Sequence, residues 1–161
     1  MTLGLSLSAF TTLHVIISLI GIASGIIVLL GMLGGKHLGG WAALFLLTTI
    51  LTSATGFLFP FSTLLPSHIV GIISLVVLGI AVIALYGFHG RGAWRWIYVV
   101  TALIALFFNC FVGVVQAFGK ISVLNALAPT QTEPAFVIAQ IALLVIFIVL
   151  GAVALRRFHP A

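Results

Sequence analysis

The sequence predicts an all-α integral membrane protein, a bundle of five transmembrane helices, and two observations support this. Of the 161 residues, 63% are hydrophobic and only 4% are charged, a composition that suits a bilayer and that a soluble domain cannot bury. Five apolar runs are also long enough to span a membrane, at about 20 residues each. They cover residues 10–34, 41–59, 68–88, 95–118 and 134–155 of a single transmembrane domain, 1–161.

The residues at the starts of the apolar runs are typical of membrane helices. No basic segment precedes the first run, so we expect a membrane span there rather than a cleaved signal peptide. Trp41 begins the short second run, and Trp94 and Trp96 flank the first residue of the fourth, as aromatic residues do at membrane interfaces. The fifth run starts at Thr132-Glu133-Pro134, which offers a capping hydroxyl, an acid near the positive end of the helix dipole, and proline in the first turn.

The basic residues predict the orientation of the chain. With five spans, the segments that follow the first, third and fifth runs lie on the same side of the membrane. Basic residues accumulate on the cytoplasmic side, so we expect the N-terminus outside and the C-terminus in the cytoplasm of a bacterial cell, with the protein in the cytoplasmic (inner) membrane. Five of the six Lys and Arg residues are in those segments: Lys36, Arg91, Arg95, Arg156 and Arg157.

Spans one and two resemble spans three and four, which predicts a parallel internal repeat (helices 1-2 and 3-4) about an axis along the membrane normal. The fifth helix would be an addition. Glycine faces on the first and third helices predict a close contact that brings His14 and His68 together. The matching residues are His14, Gly25, His37 and Trp41 in one copy, and His68, Gly79, His89 and Trp94 in the other.

Polar residues concentrate in the outer half of the predicted bundle. A polar side chain in hydrocarbon needs a partner, so we expect these residues to face the bundle interior or a wet cavity and to bind a ligand there. An alternative stays open, in which the hydroxyls bond their own helices and the carboxamides join neighbouring helices. The predicted ligand-binding residues are Ser18, Thr52, Thr55, Asn109, Gln116 and Gln140.

The scarcity of acids excludes several function classes. Glu133 is the single Asp or Glu in the chain, so paired carboxylates, a Ser-His-Asp triad and an oxygen-rich magnesium or calcium site cannot be built. Hydrolase or transferase activity is not expected, because the sequence shows no activated nucleophile, acid–base pair or phosphate-binding loop. The charge of +5 forms no basic stripe on a soluble face, so nucleic acid is not an expected partner.

His14 and His68 are the candidate cofactor-binding residues, because two neutral imidazoles can ligate haem iron axially. The stretches LHVIISLIGIASG and KHLGGW resemble those of small uncharacterised bacterial multi-pass membrane proteins with a cytochrome-b-like histidine pattern. Cytochromes of the b type hold two haems between two helices that carry two histidines each. The resemblance therefore implies two such helices here, with His14 and His37 on the first and His68 and His89 on the third.

The histidine spacing departs from that pattern. His37 follows His14 by 23 residues (37 − 14), and His89 follows His68 by 21 (89 − 68). At 1.5 Å per residue these separations are roughly 32–35 Å, the whole thickness of a bilayer. His37 and His89 are therefore expected in the connecting segments. His14 and His68 remain as metal ligands for a single haem b, or as a site for a quinone or a copper ion.

Three functional hypotheses remain open from the sequence. The first is haem- or quinone-linked electron transfer through a cofactor site at His14 and His68. The second is a carrier, channel or lipid-binding protein for a small neutral solute in the outer polar cavity. The third is an accessory subunit that packs in the lipid bilayer, as a homo-oligomer or within a larger membrane complex, through its small-residue faces.

Overall fold

A computed structural model describes residues 4–59 and 66–159, which form six α-helices and no strand. Five of these helices are long and apolar enough to cross a membrane, which confirms the predicted multi-pass all-α bundle. Their ends differ from the predicted spans by no more than three residues. The helices are α1 (Leu7–Leu33), α2 (Gly39–Gly56), α3 (Pro66–Val82, continued by a π-helical turn Ile83–Gly87), α4 (Ala93–Lys120), the short α5 (Ser122–Leu127) and α6 (Pro134–Arg157).

Local sequence accounts for the helix ends. The Ser6 side chain caps α1 by accepting the backbone N–H of Ala9 at 3.2 Å. After α1 the chain turns at Gly35, whose φ of +74° is a left-handed conformation that favours glycine. Helix α6 begins at Pro134 as predicted, but Thr132 does not cap it, because its hydroxyl bonds that of Thr130 at 2.6 Å.

The two ends of the bundle are named here by one residue each. The Lys120 end is where α1, α3 and α6 begin and where α2 and α4 end, and the Arg95 end is the opposite one. Most of the buried apolar core lies in the half of the bundle nearer Arg95, where all five long helices contribute to one cluster. Its members are Val28, Leu29, Met32, Ala42, Phe45, Leu46, Leu78, Ala81, Ala84, Leu85, Tyr98, Val99, Ala102, Leu103, Ala105, Leu106, Ala154 and Phe158.

Hydrogen bonds from arginine fasten the helices together at the Arg95 end. The Arg95 guanidinium on α4 donates to the Leu155 carbonyl and, at 3.0 Å, to the Phe158 carbonyl at the end of α6. The Arg157 guanidinium donates to the Leu33 carbonyl at the end of α1, at 3.2 Å. Both contacts supply donors to carbonyl groups that a helix C-terminus leaves without an intrahelical partner.

The predicted close packing of α1 on α3 is wrong. Helix α1 packs mainly on α2, α3 packs on α4 and α2, and α1 and α3 do not form a packed pair. The glycine face of α1 explains this, because a Cβ added at Gly25 would lie 2.6 Å from Cδ1 of Leu106 and 2.8 Å from the Phe45 ring. That face therefore receives α4 and α2, and α1 and α3 stand apart. The internal repeat and the orientation across the membrane stay predictions.

Candidate functional site

A cavity of about 580 Å³ occupies the Lys120 half of the bundle. Its walls come from α1, α2, α3 and α4 and include residue 121 just beyond α4, whereas α6 adds no residue in the part of the chain that the structure describes. On α1 the wall runs from Thr11 to Ile22, which corresponds to roughly 16 Å along the helix axis at 1.5 Å per residue. The cavity therefore reaches from the Lys120 end toward the middle of the bundle.

The cavity brings together most of the residues that the sequence analysis singled out. These residues come from four helices and are distant in sequence, yet they line the same cavity. The predicted residues in that wall are His14, Ser18, Thr52, His68, Asn109 and Gln116. Two predicted residues are outside it, Thr55 and Gln140.

His14 is held by contacts with the end of α2 and the residues after it. Its Nδ1 lies 2.7 Å from the Thr55 hydroxyl oxygen, and its ring meets Phe59 edge-on with centroids 5.1 Å apart. Thr55 thus acts behind His14 rather than in the cavity wall. Thr55 therefore contacts a residue of the cavity wall, His14, but does not itself line the cavity.

His68 begins the third membrane span and is only 5% exposed. Its ring lies against Phe57, with centroids 5.5 Å apart and planes tilted by 36°. Gly71, one turn further along α3, makes room for this contact, because an added Cβ would lie 3.0 Å from the Phe57 ring. Since α1 and α3 do not pack together, His14 and His68 line the cavity from two separated helices.

The deep part of the cavity contains two buried polar groups that lack partners. Asn109 Nδ2 and Thr49 Oγ1 are both covered, and neither has a hydrogen bond among the described residues. Both lie next to Gly21, where an added Cβ would be 3.1 Å from the amide nitrogen and 3.2 Å from the hydroxyl. Buried polar groups without partners are rare in folded proteins, so this pair requires an explanation.

Ser18 and Thr52 show the local hydrogen bonds that the alternative interpretation predicts. The Ser18 hydroxyl donates to the His14 carbonyl at 2.9 Å, and the Thr52 hydroxyl donates to the Thr48 carbonyl at 2.8 Å. Their protons are therefore committed to their own helices, and only their lone pairs are offered to the cavity. Thr49 differs, because no such bond to its own helix is present.

Gln140, which the sequence predicts as a ligand-binding residue, lies outside the wall of this cavity. Helix α6 packs on α4 and α1 and contributes nothing to the cavity wall within the described residues. The Gln140 side-chain nitrogen instead donates to the Phe111 carbonyl on α4 at 3.3 Å. This is the structural contact between helices that the sequence analysis kept as the alternative for carboxamides.

The cavity contains a cation but no acid among the described residues that line it. Lys120 is the last residue of α4 and lines this cavity. The chain has a single acidic residue that could balance the charge of Lys120. That residue, Glu133, accepts hydrogen bonds from the Thr130 hydroxyl at 2.7 Å and from the Thr132 backbone N–H at 3.1 Å. The Thr130 hydroxyl bond is the main reason that the pKa of the Glu133 carboxyl lies below its ordinary value.

A metal ion bound only by protein groups is not supported by the described side chains. Residues 4–59 and 66–159 contain no group of three or more His, Cys, Asp or Glu side chains placed to hold a metal ion. Catalytic and structural zinc or copper sites use three or four protein ligands. Two histidines suit an iron whose other four ligands come from a porphyrin.

Several wall residues were not predicted from the sequence, although helical spacing offered a signal for two of them. Thr49 precedes Thr52 by three residues and Lys120 follows Gln116 by four, so each shares a helix face with a residue that was predicted. Phe57 and Gly21 offered no such signal, because aromatic residues and glycines are common throughout this chain.

Fold and site together define a multi-pass helical membrane protein with a polar-lined cavity in one half of its bundle. A scan against protein-family models finds no match, and comparisons with curated proteins and with solved structures find no significant match either.

Proposed function

We propose that this protein binds a quinone-family ligand from the bilayer in the cavity at the Lys120 end, in support of membrane electron transfer. The observation that carries the proposal is a cavity that combines aromatic walls with buried polar groups lacking partners. Its volume of about 580 Å³ falls within the roughly 300–1,000 Å³ of small-molecule sites.

The chemistry of the wall matches that of a quinone head group, a flat ring with two carbonyl oxygens. Phe57 and Phe108 offer aromatic surface to the ring, and Asn109 and Lys120 offer donors at opposite ends of the cavity. The two residues are separated by eleven positions on α4, about 16 Å along the helix axis. The bilayer accommodates the apolar tail of the ligand.

Rotation of one side chain gives the ligand access to the deepest donors. Asn109 Nδ2 and Thr49 Oγ1 are covered by neighbouring atoms, so the carboxamide must turn about its terminal torsion to meet a ligand carbonyl. This torsion is broad in asparagine, which keeps the cost of rotation low. The new hydrogen bond would replace a buried donor that otherwise has no partner.

Calorimetric titration of the purified protein with a short-tailed benzoquinone and a short-tailed naphthoquinone tests the proposal. Asn109→Leu removes the amide at similar volume and should weaken binding about tenfold or more, the effect of losing one buried hydrogen bond. Gln140→Leu is the matched control, because it removes a carboxamide outside the cavity and should leave affinity unchanged. If the folded wild-type protein bound neither a quinone nor its quinol, that result would contradict the proposal and favour the carrier or accessory-subunit hypotheses.

A bis-histidine haem b site is the second candidate, and it is favoured by the placement of the histidines. His14 and His68 line one cavity from two helices, α1 and α3, that do not form a packed pair. The Nδ1 atom of His14 bonds Thr55 at 2.7 Å, an orienting contact of the kind that iron-binding histidines usually make through the nitrogen away from the metal. Haem would supply one-electron redox chemistry at this place.

An optical spectrum of protein expressed with ample haem, oxidised and then reduced with dithionite, tests the second candidate. A Soret band with sharp α and β bands in the reduced state, absent in His14→Ala and in His68→Ala, would support it. His159→Ala is the matched control, because that histidine lies beyond α6 at the Arg95 end. A flat spectrum that persists after haem is added back would rule this candidate out.

We further propose that the protein resides in the bacterial cytoplasmic membrane with the Lys120 end outside. The support is the distribution of charge, since five of six Lys and Arg residues belong to segments at the Arg95 end. Single cysteines placed at Ser122 and at Arg91 in a Cys110→Ala background can be labelled in intact spheroplasts with an impermeant maleimide. Labelling at position 122 alone supports this orientation, and labelling at position 91 alone contradicts it.

A further inference from the structure

The geometry of the contact between His14 and Thr55 points to the imidazole nitrogen that carries the proton. The Thr55 hydroxyl oxygen lies 2.6 Å from the Leu51 carbonyl oxygen and 3.3 Å from the Thr52 carbonyl oxygen, so two acceptors of its own helix are within reach of its single proton. Its lone pair therefore accepts a hydrogen bond from His14 Nδ1 at 2.7 Å. Because a neutral imidazole carries one N–H, the Nε2 atom of His14 is left with a lone pair.

The surroundings of His14 favour the neutral ring. Lys120 and His68 line the same cavity, and no carboxylate is present among its described lining residues. A nearby acid would stabilise the imidazolium ion, whereas a nearby cation disfavours it. Within residues 4–59 and 66–159, Nε2 of His14 has no hydrogen-bond partner. His14 therefore offers an acceptor to a ligand, and offers no donor.

Quinones and quinols differ in whether they can donate a hydrogen bond to this acceptor. A quinol hydroxyl can donate a hydrogen bond to Nε2, whereas a quinone carbonyl has only lone pairs and would face another lone pair there. An acceptor placed against an acceptor leaves both groups without a partner, and a buried group without a partner is costly. The two redox forms of one ligand should therefore bind with different affinities.

We propose that His14, held in one tautomer by Thr55, makes the cavity select the hydroxyl-bearing reduced form of its ligand over the carbonyl-bearing oxidised form. This inference rests on the proposed function, because it assumes a quinone-family ligand. Thr55 is a positioning residue in this arrangement, since it acts through His14 and does not line the cavity.

The deep part of the cavity does not oppose this selection. Asn109 has a carboxamide with both donors and an acceptor, and the Thr49 hydroxyl can serve as either. These groups can pair with a hydroxyl or with a carbonyl, so they hold both redox forms equally well. The Lys120 ammonium can likewise donate to a carbonyl oxygen or to a hydroxyl oxygen, so discrimination between the forms depends on His14.

Paired calorimetric titrations test the selection, with a short-tailed quinol kept reduced under anaerobic conditions and with the matching quinone. Wild-type protein should bind the quinol about tenfold more tightly, the effect of one hydrogen bond gained or lost. Thr55→Val removes the acceptor and lets the His14 proton move to either nitrogen, so the affinity ratio should fall to about one. Thr55→Ser keeps the hydroxyl and should keep the ratio.

Thr101→Val is the matched control, because Thr101 also donates to its own helix, at 2.6 Å to the Ile97 carbonyl, but lies in the Arg95 half. It should leave the ratio of the two affinities at its wild-type value. A variant that merely loosens the fold would weaken both forms together. The ratio therefore reports the tautomer rather than the stability of the protein.

A second measurement does not require the variant to fold. In wild-type protein with ¹⁵N-labelled histidine, His14 should show a protonated Nδ1 and an unprotonated Nε2. The reverse pattern would overturn the inference, as would a quinone affinity equal to or above the quinol affinity. Binding of both forms without preference refutes the selection and leaves the proposed function intact, whereas binding of neither form refutes both.

Discussion

The two halves of this bundle differ in how closely their side chains are packed. In the Arg95 half, side chains from all five long helices fill the interior, and Phe45, Tyr98 and Phe158 are all at most 1% exposed. In the Lys120 half, four of these helices, α1 to α4, leave about 580 Å³ unfilled and line it with histidines, carboxamides and hydroxyls. One half is packed as a core, and the other is arranged as a site.

This difference indicates that the Arg95 half contributes most of the packing stability of the bundle, and that the Lys120 half contributes less. Lipid tails are as apolar as the core, so membrane helices associate through close packing and hydrogen bonds rather than through exclusion of water. Tight packing and arginine contacts at the Arg95 end supply both. That allows α1 and α3 to stand apart at the other end, where a binding site needs space.

The largest expected effect compares two phenylalanines, one in each half. Phe45→Ala should lower the free energy of unfolding in detergent by about 3–5 kcal/mol, because a fully buried ring is removed and leaves a cavity. Phe108→Ala should cost roughly half of that or less, because Phe108 is half-buried and already borders an open space. Equal losses from the two variants would show that both halves are packed alike.

The arginine contacts at the Arg95 end give the next prediction. Arg95→Met keeps most of the side-chain length but removes the donors to the Leu155 and Phe158 carbonyls. We expect a loss of about 1.5–3 kcal/mol, the range for hydrogen bonds from charged groups. Hydrogen exchange should also accelerate near the end of α6.

Arg91→Met is the control for the Arg95 variant, because it removes the same charge from the same end of the bundle at an exposed position. It should change the stability by less than about 0.5 kcal/mol, as exposed substitutions usually do. A similar loss in both variants would assign the effect to net charge rather than to the two carbonyl contacts.

Sequence reasoning succeeded for properties that are local or periodic. Apolar runs of sufficient length predicted the five helices with small errors at their ends, because hydropathy and length suffice to define a span. Spacing along a helix also placed Asn109 and Gln116 on one face of α4. These are properties that a single helix determines for itself.

Sequence reasoning failed where the answer depended on which helices become neighbours. Glycine spacing on α1 correctly indicated close approach but named the wrong partner, since Gly25 receives Leu106 and Phe45 rather than α3. Gln140 lies at a suitable depth but on a helix that packs away from the cavity. Which helices pack against each other depends on the surfaces of all the helices together, and no single stretch of sequence determines it.

One substitution applied to two glycines tests the packing contrast directly. Gly25→Ala would place a Cβ 2.6 Å from Leu106 and 2.8 Å from Phe45, so we expect a loss of about 1–3 kcal/mol from overpacking. Gly113→Ala would place a Cβ 3.6 Å from Ile22, an ordinary contact, in the wall of the cavity. It should be neutral or stabilising, because alanine is a better helix former by about 1 kcal/mol.

Unfolding titrations of the two variants provide the measurement. Gly25→Ser is a useful companion variant. Serine has the same Cβ as alanine and a hydroxyl beyond it, so it should be tolerated no better than alanine at this position. If Gly113→Ala destabilised the protein as much as Gly25→Ala, the Lys120 half would have to be as closely packed as the other half.

The smallest expected effect is a response to acid that is confined to the Lys120 end. Glu133 holds the start of α6 to the preceding loop through the Thr130 hydroxyl and backbone N–H groups, and these bonds keep the pKa of its carboxyl below the ordinary value. A carboxylate with a depressed pKa contributes stability above its unfolded-state pKa, about 4.3 for glutamate, and the contribution is lost as pH falls through the folded-state value. The protection of the Thr130 and Thr132 amides, relative to an unstructured peptide at the same pH, should therefore fall in acid, while amides in the core of the Arg95 half stay protected.

Glu133→Gln should show the lower protection already at neutral pH and should abolish the acid response. An acid response of equal size in the core of the Arg95 half would contradict the assignment, because Glu133 lies at the Lys120 end, at the start of α6.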